Sequence, residues 1–227
     1  MAKDFVSQHV VDGYDEHIRK LIPAYDVVHQ HIQAILSTNF PQESIRVLII
    51  GCGTGYELGY LLKRFPTWNF VVSELSSTML DKAKANVHLW QSDHRVEFIL
   101  GDFAKYYTES TFDIVLTILV SHFIPYDSKA SFFQNIGQVL KLKGMWIGFD
   151  LMRFETIEEA LQLKEICLYN GLSEKQAQVM LDRLEMDFYP LSEAETIQYF
   201  KKVELFSIKQ FIQVASYRGF YAIKNLI

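Results

Sequence analysis

The chain is poor in most of the features that would mark a secreted, fibrous or membrane protein. Two cysteines, Cys52 and Cys167, occur among 227 residues. Neither forms a CxxC pair or a Cys/His set at metal-ligand spacing, which argues against a disulfide framework, a structural zinc site or any other metal centre. Five prolines and eleven glycines are the only strong punctuation, and no repeat or low-complexity run accompanies them, so collagen-like and disordered chains are excluded. No stretch approaches the roughly 20 uninterrupted apolar residues of a bilayer span. Met1-Ala2-Lys3-Asp4 places an acid where a secretory signal would be basic and then apolar, so the expected location is the cytoplasm, with no membrane partner.

Positive charge is also scarce. The net charge is −5, from 22 basic and 27 acidic residues, distributed as −3 over residues 1–45, zero over 46–150, −6 over 151–200 and +4 over 201–227. Nucleic-acid binders carry a basic face, because phosphate neutralisation supplies most of their non-specific affinity. Only the last 27 residues are basic, and Lys201, Lys202, Lys209 and Lys224 are read as a solvated strand face, so no nucleic-acid partner is expected.

What is present is a large apolar fraction, 49% hydrophobic and 14% aromatic, enough to build one catalytic-sized domain. Pro23 to Phe40 has helical spacing, with Pro23 in the first turn. Strands and helices then alternate: a strand over Arg46–Ile50, a helix over Tyr56–Phe65, a strand over Phe70–Glu74, and a helix capped by Ser76 or Ser77 with Met79, Leu80, Ala83 and Val87 on one face. Val96–Leu100 and Phe112–Leu119 are further strands. Asp127 is expected to cap a helix, and Gly144 to lead into a strand over Met145–Phe149. This alternation predicts right-handed βαβ units and a doubly wound, mostly parallel α/β sheet. Residues 151–200 are acidic and helical in character. Val203–Phe211 and Val214–Lys224 follow each other too closely for a helical crossover, so they pair antiparallel.

In such folds ligands bind at the carboxyl ends of the strands, where the strand order reverses. There the sequence places Gly51-Cys52-Gly53-Thr54-Gly55 between a strand and a helix, a loop in which backbone can approach a ligand closely. A dinucleotide fingerprint would need a third glycine where Tyr56 stands, which weakens an NAD-dependent oxidoreductase reading. A P-loop lacks its Lys-Ser/Thr pair. Glu74 ends the second strand, where it can accept hydrogen bonds from both ribose hydroxyls. Asp102, after Gly101, ends the third strand and can accept from an adenine amino group.

Val47-Leu-Ile-Ile-Gly-Cys-Gly-Thr-Gly55, Val71-Val-Ser-Glu-Leu-Ser-Ser-Thr-Met79-Leu80 and Phe98-Ile-Leu-Gly-Asp102-Phe103, in that order, resemble the first three motifs of class I S-adenosylmethionine-dependent methyltransferases. Phe112-Asp-Ile-Val-Leu-Thr117, Leu140-Lys-Leu-Lys-Gly144 and the closing hairpin extend the likeness to nearly the whole chain. The resemblance implies a Rossmann-like seven-stranded sheet of order 3-2-1-4-5-7-6 with the seventh strand antiparallel. It implies S-adenosylmethionine as cofactor, S-adenosylhomocysteine as product and a small-molecule acceptor. By this likeness Gly51, Cys52, Gly53 and Gly55 approach the methionyl and ribose portions and Glu74 takes the ribose hydroxyls. Leu75 and Met79 flank the adenine, Gly101, Asp102 and Phe103 read its edge, and Thr117 lies beneath the methionyl chain. Residues 1–45 become a helical lid, 46–150 the cofactor-binding core, 151–200 a substrate cover and 201–227 the hairpin.

Gly13 to Tyr25 is similar to the opening segment of carboxy-S-adenosylmethionine synthases and of other small-molecule methyltransferases. In that likeness Arg19 pairs with the methionine carboxylate and Tyr25 donates a hydrogen bond; the plain alternative is a solvent-facing arginine and a core tyrosine. Where the synthases carry an arginine, Glu185-Met-Asp-Phe-Tyr-Pro-Leu191 has none. His122, in the loop after the fourth strand, is the candidate general base, against the alternative of a loop histidine bonded to backbone. Cys52 is read as packed rather than reactive. His29 and His31 point roughly 200° apart on one helix and cannot share a metal. Tyr169, Phe188, Tyr189 and Phe200 are available to line the acceptor opening, and the negative charge of 151–200 favours a neutral or cationic acceptor. The same segment could instead form a homodimer surface. A non-enzymatic S-adenosylmethionine-binding protein remains open, because no essential base is identifiable.

Overall fold

β1 (Arg46–Ile50) and β4 (Phe112–Ile118) are apolar on both faces and lie side by side at the centre of the sheet, as expected of parallel strands covered by helices on each side. The computed structural model describes residues 7–41 and 44–225, and the reading of Met1-Ala2-Lys3-Asp4 lies outside them. Around the central pair stand β2 (Asn69–Glu74), β3 (Val96–Leu100), β5 (Leu140–Leu151), β6 (Leu205–Val214) and β7 (Tyr217–Lys224), in the order β3-β2-β1-β4-β5-β7-β6. β7 pairs antiparallel with both neighbours, and the other pairings are parallel. The Rossmann-like expectation is met strand for strand. The strand order reverses between the parallel β1 and β4, so their carboxyl ends open a crevice.

Alternation along β1 sends Val47 and Ile49 to one face and Leu48 and Ile50 to the other, because successive strand side chains point to opposite sides. The first face packs against α3 (Tyr25–Asn39), α4 (Tyr56–Arg64) and α5 (Ser77–Leu89), with contributions from α2 (Tyr14–Leu21), α7 (Ile157–Tyr169) and α8 (Glu174–Met186). The second packs against α6 (Lys129–Val139) and α9 (Glu193–Lys202). A five-residue α1 (Gln8–Asp12) precedes α2. Ser76 caps α5 by accepting from the Met79 amide at 3.2 Å. Ser173 and Ser192 close reciprocal capping boxes with Gln176 and Glu195 at the starts of α8 and α9, which is why the acidic stretch breaks into separate helices there.

Several boundaries differ from expectation for local reasons. α3 starts at Tyr25 rather than Pro23, because Ala24 takes a left-handed conformation (φ 57°). α6 begins after Ser128, and Asp127 does not cap it but accepts from the Ser128 hydroxyl. β5 runs back to Leu140, so Gly144 lies in a shifted part of the strand opposite Phe112–Ile114 instead of leading into it. β6 begins at Leu205, because α9 extends through Lys202. The basic tail is therefore divided. Lys201 and Lys202 are helical, and Lys224 donates to the Gly137 and Leu140 carbonyls at the end of α6, where a cation suits the helix terminus.

Phe200 of α9 is fully buried, 4.4 Å from the Trp146 ring and 5.5 Å from Phe133. Phe200→Ala is expected to lower stability in urea unfolding by about 3–5 kcal/mol, the ordinary cost of an aromatic-sized cavity in a packed core.

Candidate functional site

The loop after β1 turns through Gly51, Gly53 and Gly55, all at positive φ. Gly53 is the one that demands glycine for access: nothing lies within 4 Å of where its Cβ would be, so its backbone faces open space that a side chain would occupy. The loop is tied to its neighbour strand. Gly51 and Cys52 donate to the Ser73 carbonyl, and Gly53 N donates to Glu74 Oε2 at 3.0 Å. Glu74 Oε1 accepts from the amides of Leu75 (2.8 Å) and Ser76 (2.9 Å), and its own carbonyl accepts from Gly101. The ends of β1, β2 and β3 thus converge on Glu74. Leu75 stands 76% exposed beside it, and Gly101 has open space on its Cα. Met79 is buried in the first turn of α5, while Asp102 uses Oδ1 to accept from the Ala104 amide.

The N-terminal helices are fastened to this loop. Asp15 Oδ1 accepts from the Thr54 hydroxyl at 2.6 Å. Arg19 lies 4.4 Å over the Tyr56 ring, donates to Asp26 at 3.3 Å and to the Asp15 carbonyl, so its guanidinium is engaged inside the protein. Tyr25 is buried against Tyr56 and His29, and burial pushes its hydroxyl well above the usual tyrosine range. Cys52 is buried, and its thiol is likewise held up by desolvation, which fits packing rather than reactivity.

Two of the expected contact residues have side chains buried on the other face of the sheet. Thr117 falls on the α6/α9 face of β4 by strand alternation; it is fully buried and its hydroxyl accepts from Trp146 Nε1 at 3.0 Å. Phe103 is a core residue on that same face. Neither presents a side chain to the glycine loop.

At the ends of β4 and β5 the backbone turns sharply. Leu119 adopts φ +59°, a left-handed conformation uncommon for a non-glycine residue, and the chain passes Val120, whose Cγ2 would lie 2.7 Å from a Cβ on Gly51. His122 follows. Its Nδ1 lies 2.8 Å from Asp150 Oδ1, both side chains being buried. Lys129, 0% exposed, donates to the Ser121 carbonyl at 2.6 Å, and burial lowers its ammonium to about 8. The His122 ring packs on Phe123 and Phe188 and lines a cavity of about 290 Å³ between α2 and α8. Tyr14 lines it too, near the charges of Glu57 and Glu74, so the cavity adjoins the glycine loop. Of the aromatics expected at the opening, Phe188 lines it and the Tyr189 amide donates to the His122 carbonyl. Tyr169 is instead 89% exposed and Phe200 lies in the core.

Asp150, Lys129 and Glu57 were not legible as site residues. Glu57 sits buried in the first turn of α4; burial, aided by Glu74 and Asp15, lifts its carboxyl to about 8. Across a cavity of about 10 Å³ lies His29, which burial holds down near 4 and whose Nε2 has no partner among the described residues. No His/Cys/Asp/Glu cluster suited to a metal occurs among the described residues. A carboxyl whose folded value exceeds its ordinary 4.5 contributes its full stability below that pH and loses it as pH rises towards 8. Glu57→Gln removes that loss. The variant should therefore gain in urea midpoint relative to the parent as pH climbs from about 5 to 8 and hold a constant difference above it.

Residues 47–144 match the methyltransferase domain family model. Over 91 residues the chain is 38% identical to a malonyl-[acyl-carrier protein] O-methyltransferase of Priestia megaterium, covering 40% of this chain and 31% of that protein. It is 28% identical over 228 residues to a carboxy-S-adenosyl-L-methionine synthase of Trichodesmium erythraeum, covering 95% of this chain and 87% of the relative. An O-methyltransferase family protein of Burkholderia thailandensis superposes with a TM-score of 0.65 at 15% identity, over 87% of this chain and 56% of that one. The chain spans less than half the length of the malonyl O-methyltransferases it matches. No helix among the described residues is long and apolar enough to cross a membrane. These similarities join the strand order and the glycine loop in weighing against a dinucleotide-dependent oxidoreductase: residues 47–144 are a methyltransferase domain of the class I S-adenosylmethionine-dependent type.

Proposed function

We propose that the protein transfers a methyl group from S-adenosylmethionine to a small-molecule acceptor bound in the cavity between α2 and α8, with His122 as general base. The observation that carries this reading is the buried His122–Asp150 pair, whose histidine lines the cavity beside the glycine loop. The residues fit the cofactor. Open space at Gly53 and Gly101 admits close backbone approach, and the Glu74 carboxylate at the end of β2 suits a pair of ribose hydroxyls. The exposed Leu75 and the neighbouring Met79 suit an adenine face, and Asp102 its amino edge. Gly51 and Gly55 shape the loop, with Cys52 packed beneath it. Arg19 and Tyr25 act in this reading by bracing α2 and α3 against Tyr56, as a lid whose closure they hold.

When bound, the cofactor supplies a methyl group activated by sulfonium charge. Asp150 accepts from Nδ1–H of His122, which leaves Nε2 as the proton acceptor. Lys129 offsets the buried Asp150 charge and fixes the loop through Ser121. His122 would take the proton from the acceptor's O–H or N–H, leaving that atom's lone pair free for the methyl group that the bound cofactor would supply. The apolar walls keep water from the reacting centre. A cytoplasmic setting accompanies this reading, supported by two buried free thiols.

A second reading, a carboxy-S-adenosylmethionine synthase-like activity, is favoured by likeness to such proteins over nearly the whole chain. Arg183, just before the segment that lacks an arginine, lines the cavity and supports it further. Mass spectrometry of small molecules released from the purified protein separates the two: S-adenosylmethionine or S-adenosylhomocysteine supports methyl transfer, and a carboxylated derivative supports the synthase.

Glu74→Ala should weaken S-adenosylhomocysteine binding by roughly 1.5–3 kcal/mol in calorimetric titration, the scale of hydrogen bonds to a charged group. An unchanged affinity overturns the ribose assignment. His122→Ala should leave that affinity intact and lower turnover about 10²-fold or more; unchanged turnover returns His122 to a structural role.

A further inference from the structure

No described acid of residues 151–200 lines the cavity, although Asp187 pairs with the lining Arg183. Glu174 pairs with Lys164, Glu193 with Arg218, Glu195 with Arg153, and Asp187 with Arg183. Among the described residues the cavity wall contains no Asp or Glu; its ionisable groups are His17, His122, Lys175 and Arg183, with Tyr14 and Tyr217. Lys175 is exposed at the mouth, and no carboxylate pairs with it among the described residues. It stands in the first turn of the 13-residue α8, so its ammonium and the positive end of the helix reinforce each other there. Below this mouth the wall is apolar, formed by Ile18, Leu21, Val179, Met180 and Phe188. The volume of about 290 Å³ is at the small end of ligand pockets, which run from roughly 300 to 1,000 Å³.

We propose that the acceptor is a small apolar carboxylic acid, its hydrocarbon or aromatic body held among Ile18, Leu21, Met180 and Phe188 and its carboxylate anchored at the mouth by Lys175. This rests on the reading of the cavity as the acceptor site, and it reverses the expectation of a cationic acceptor drawn from segment charge. An amine in the same place would meet the Lys175 ammonium as a like charge, with no lining carboxylate among the described residues to offset it. The carboxylate serves as an anchor and the atom that is methylated lies towards His122.

The test titrates the full chain with 3-phenylpropanoate, 3-phenylpropanamide and 3-phenylpropylamine, with and without saturating S-adenosylhomocysteine. The acid is expected to bind at least about tenfold more tightly than the amine or the amide, as a charge-assisted contact supplies. Lys175→Glu should remove that preference and leave S-adenosylhomocysteine affinity unchanged, which also shows that the variant is folded. An amine that equals or exceeds the acid, absence of acid binding, or an acid affinity indifferent to Lys175→Glu overturns the proposal. If S-adenosylhomocysteine binds and the acid preference is absent, the acceptor class fails while the methyltransferase reading stands. If S-adenosylhomocysteine does not bind, that reading fails, and the titrations without it still decide the acid preference.

Discussion

The carboxylate of Glu74 holds three strand ends in one place. It accepts from Gly53, Leu75 and Ser76, while the backbone of the same residue receives Gly101. Each bond satisfies an amide that a strand end leaves without a ladder partner. Gly53 can therefore remain left-handed and open, Ser76 is placed to cap α5, and β3 is turned towards the same crevice. A side chain that organises the loops on both sides of it can also meet a ligand there without rearranging them, which is what preorganisation requires.

The second polar centre is built on the opposite principle. His122, Asp150 and Lys129 are buried, and buried charges are tolerated where each finds a partner. Asp150 meets both the ring and the backbone amide of His122, and Lys129 holds the carbonyl just before it. The histidine is thus fixed from two sides and its ring is turned to the cavity wall. Between the two centres runs the Gly51–Val120 contact, so the loop that carries His122 touches the loop that carries the glycines.

The sheet was legible because strand patterns are local. Val47-Leu-Ile-Ile50 and Phe112-Asp-Ile-Val-Leu-Thr-Ile118 are apolar runs ending in turn residues, and their order with the intervening helices dictates a parallel sheet. The glycine loop and Glu74 were legible for the same reason: each lies at a strand end whose direction the pattern gives. The face that the Thr117 side chain takes was not legible, since one step along a strand exchanges the two faces and the glycine loop fixes no parity for β4. Asp150 and Lys129 could not be found, because their roles depend on pairings with residues 28 and 8 positions away, across strands and a turn that sequence spacing does not join. The charge of residues 151–200 misled in a similar way. A segment sum does not say which helix face bears the acids, and here surface cations take up several of them.

The cavity is assembled from parts of the chain of very different standing. Leu119, His122 and Phe123 lie within the segment matched by the methyltransferase family, residues 47–144; the remaining lining residues come from α2, α8, the segment after it and β7. The matched segment thus furnishes the glycine loop and His122, and the flanking helices furnish most of the walls. Substitutions in those walls can change which molecule is accepted without disturbing the strand ends that converge on Glu74. In such an architecture chemistry and selectivity are free to diverge at different rates, and shared ancestry in the core says little about the molecule that fits beneath α8.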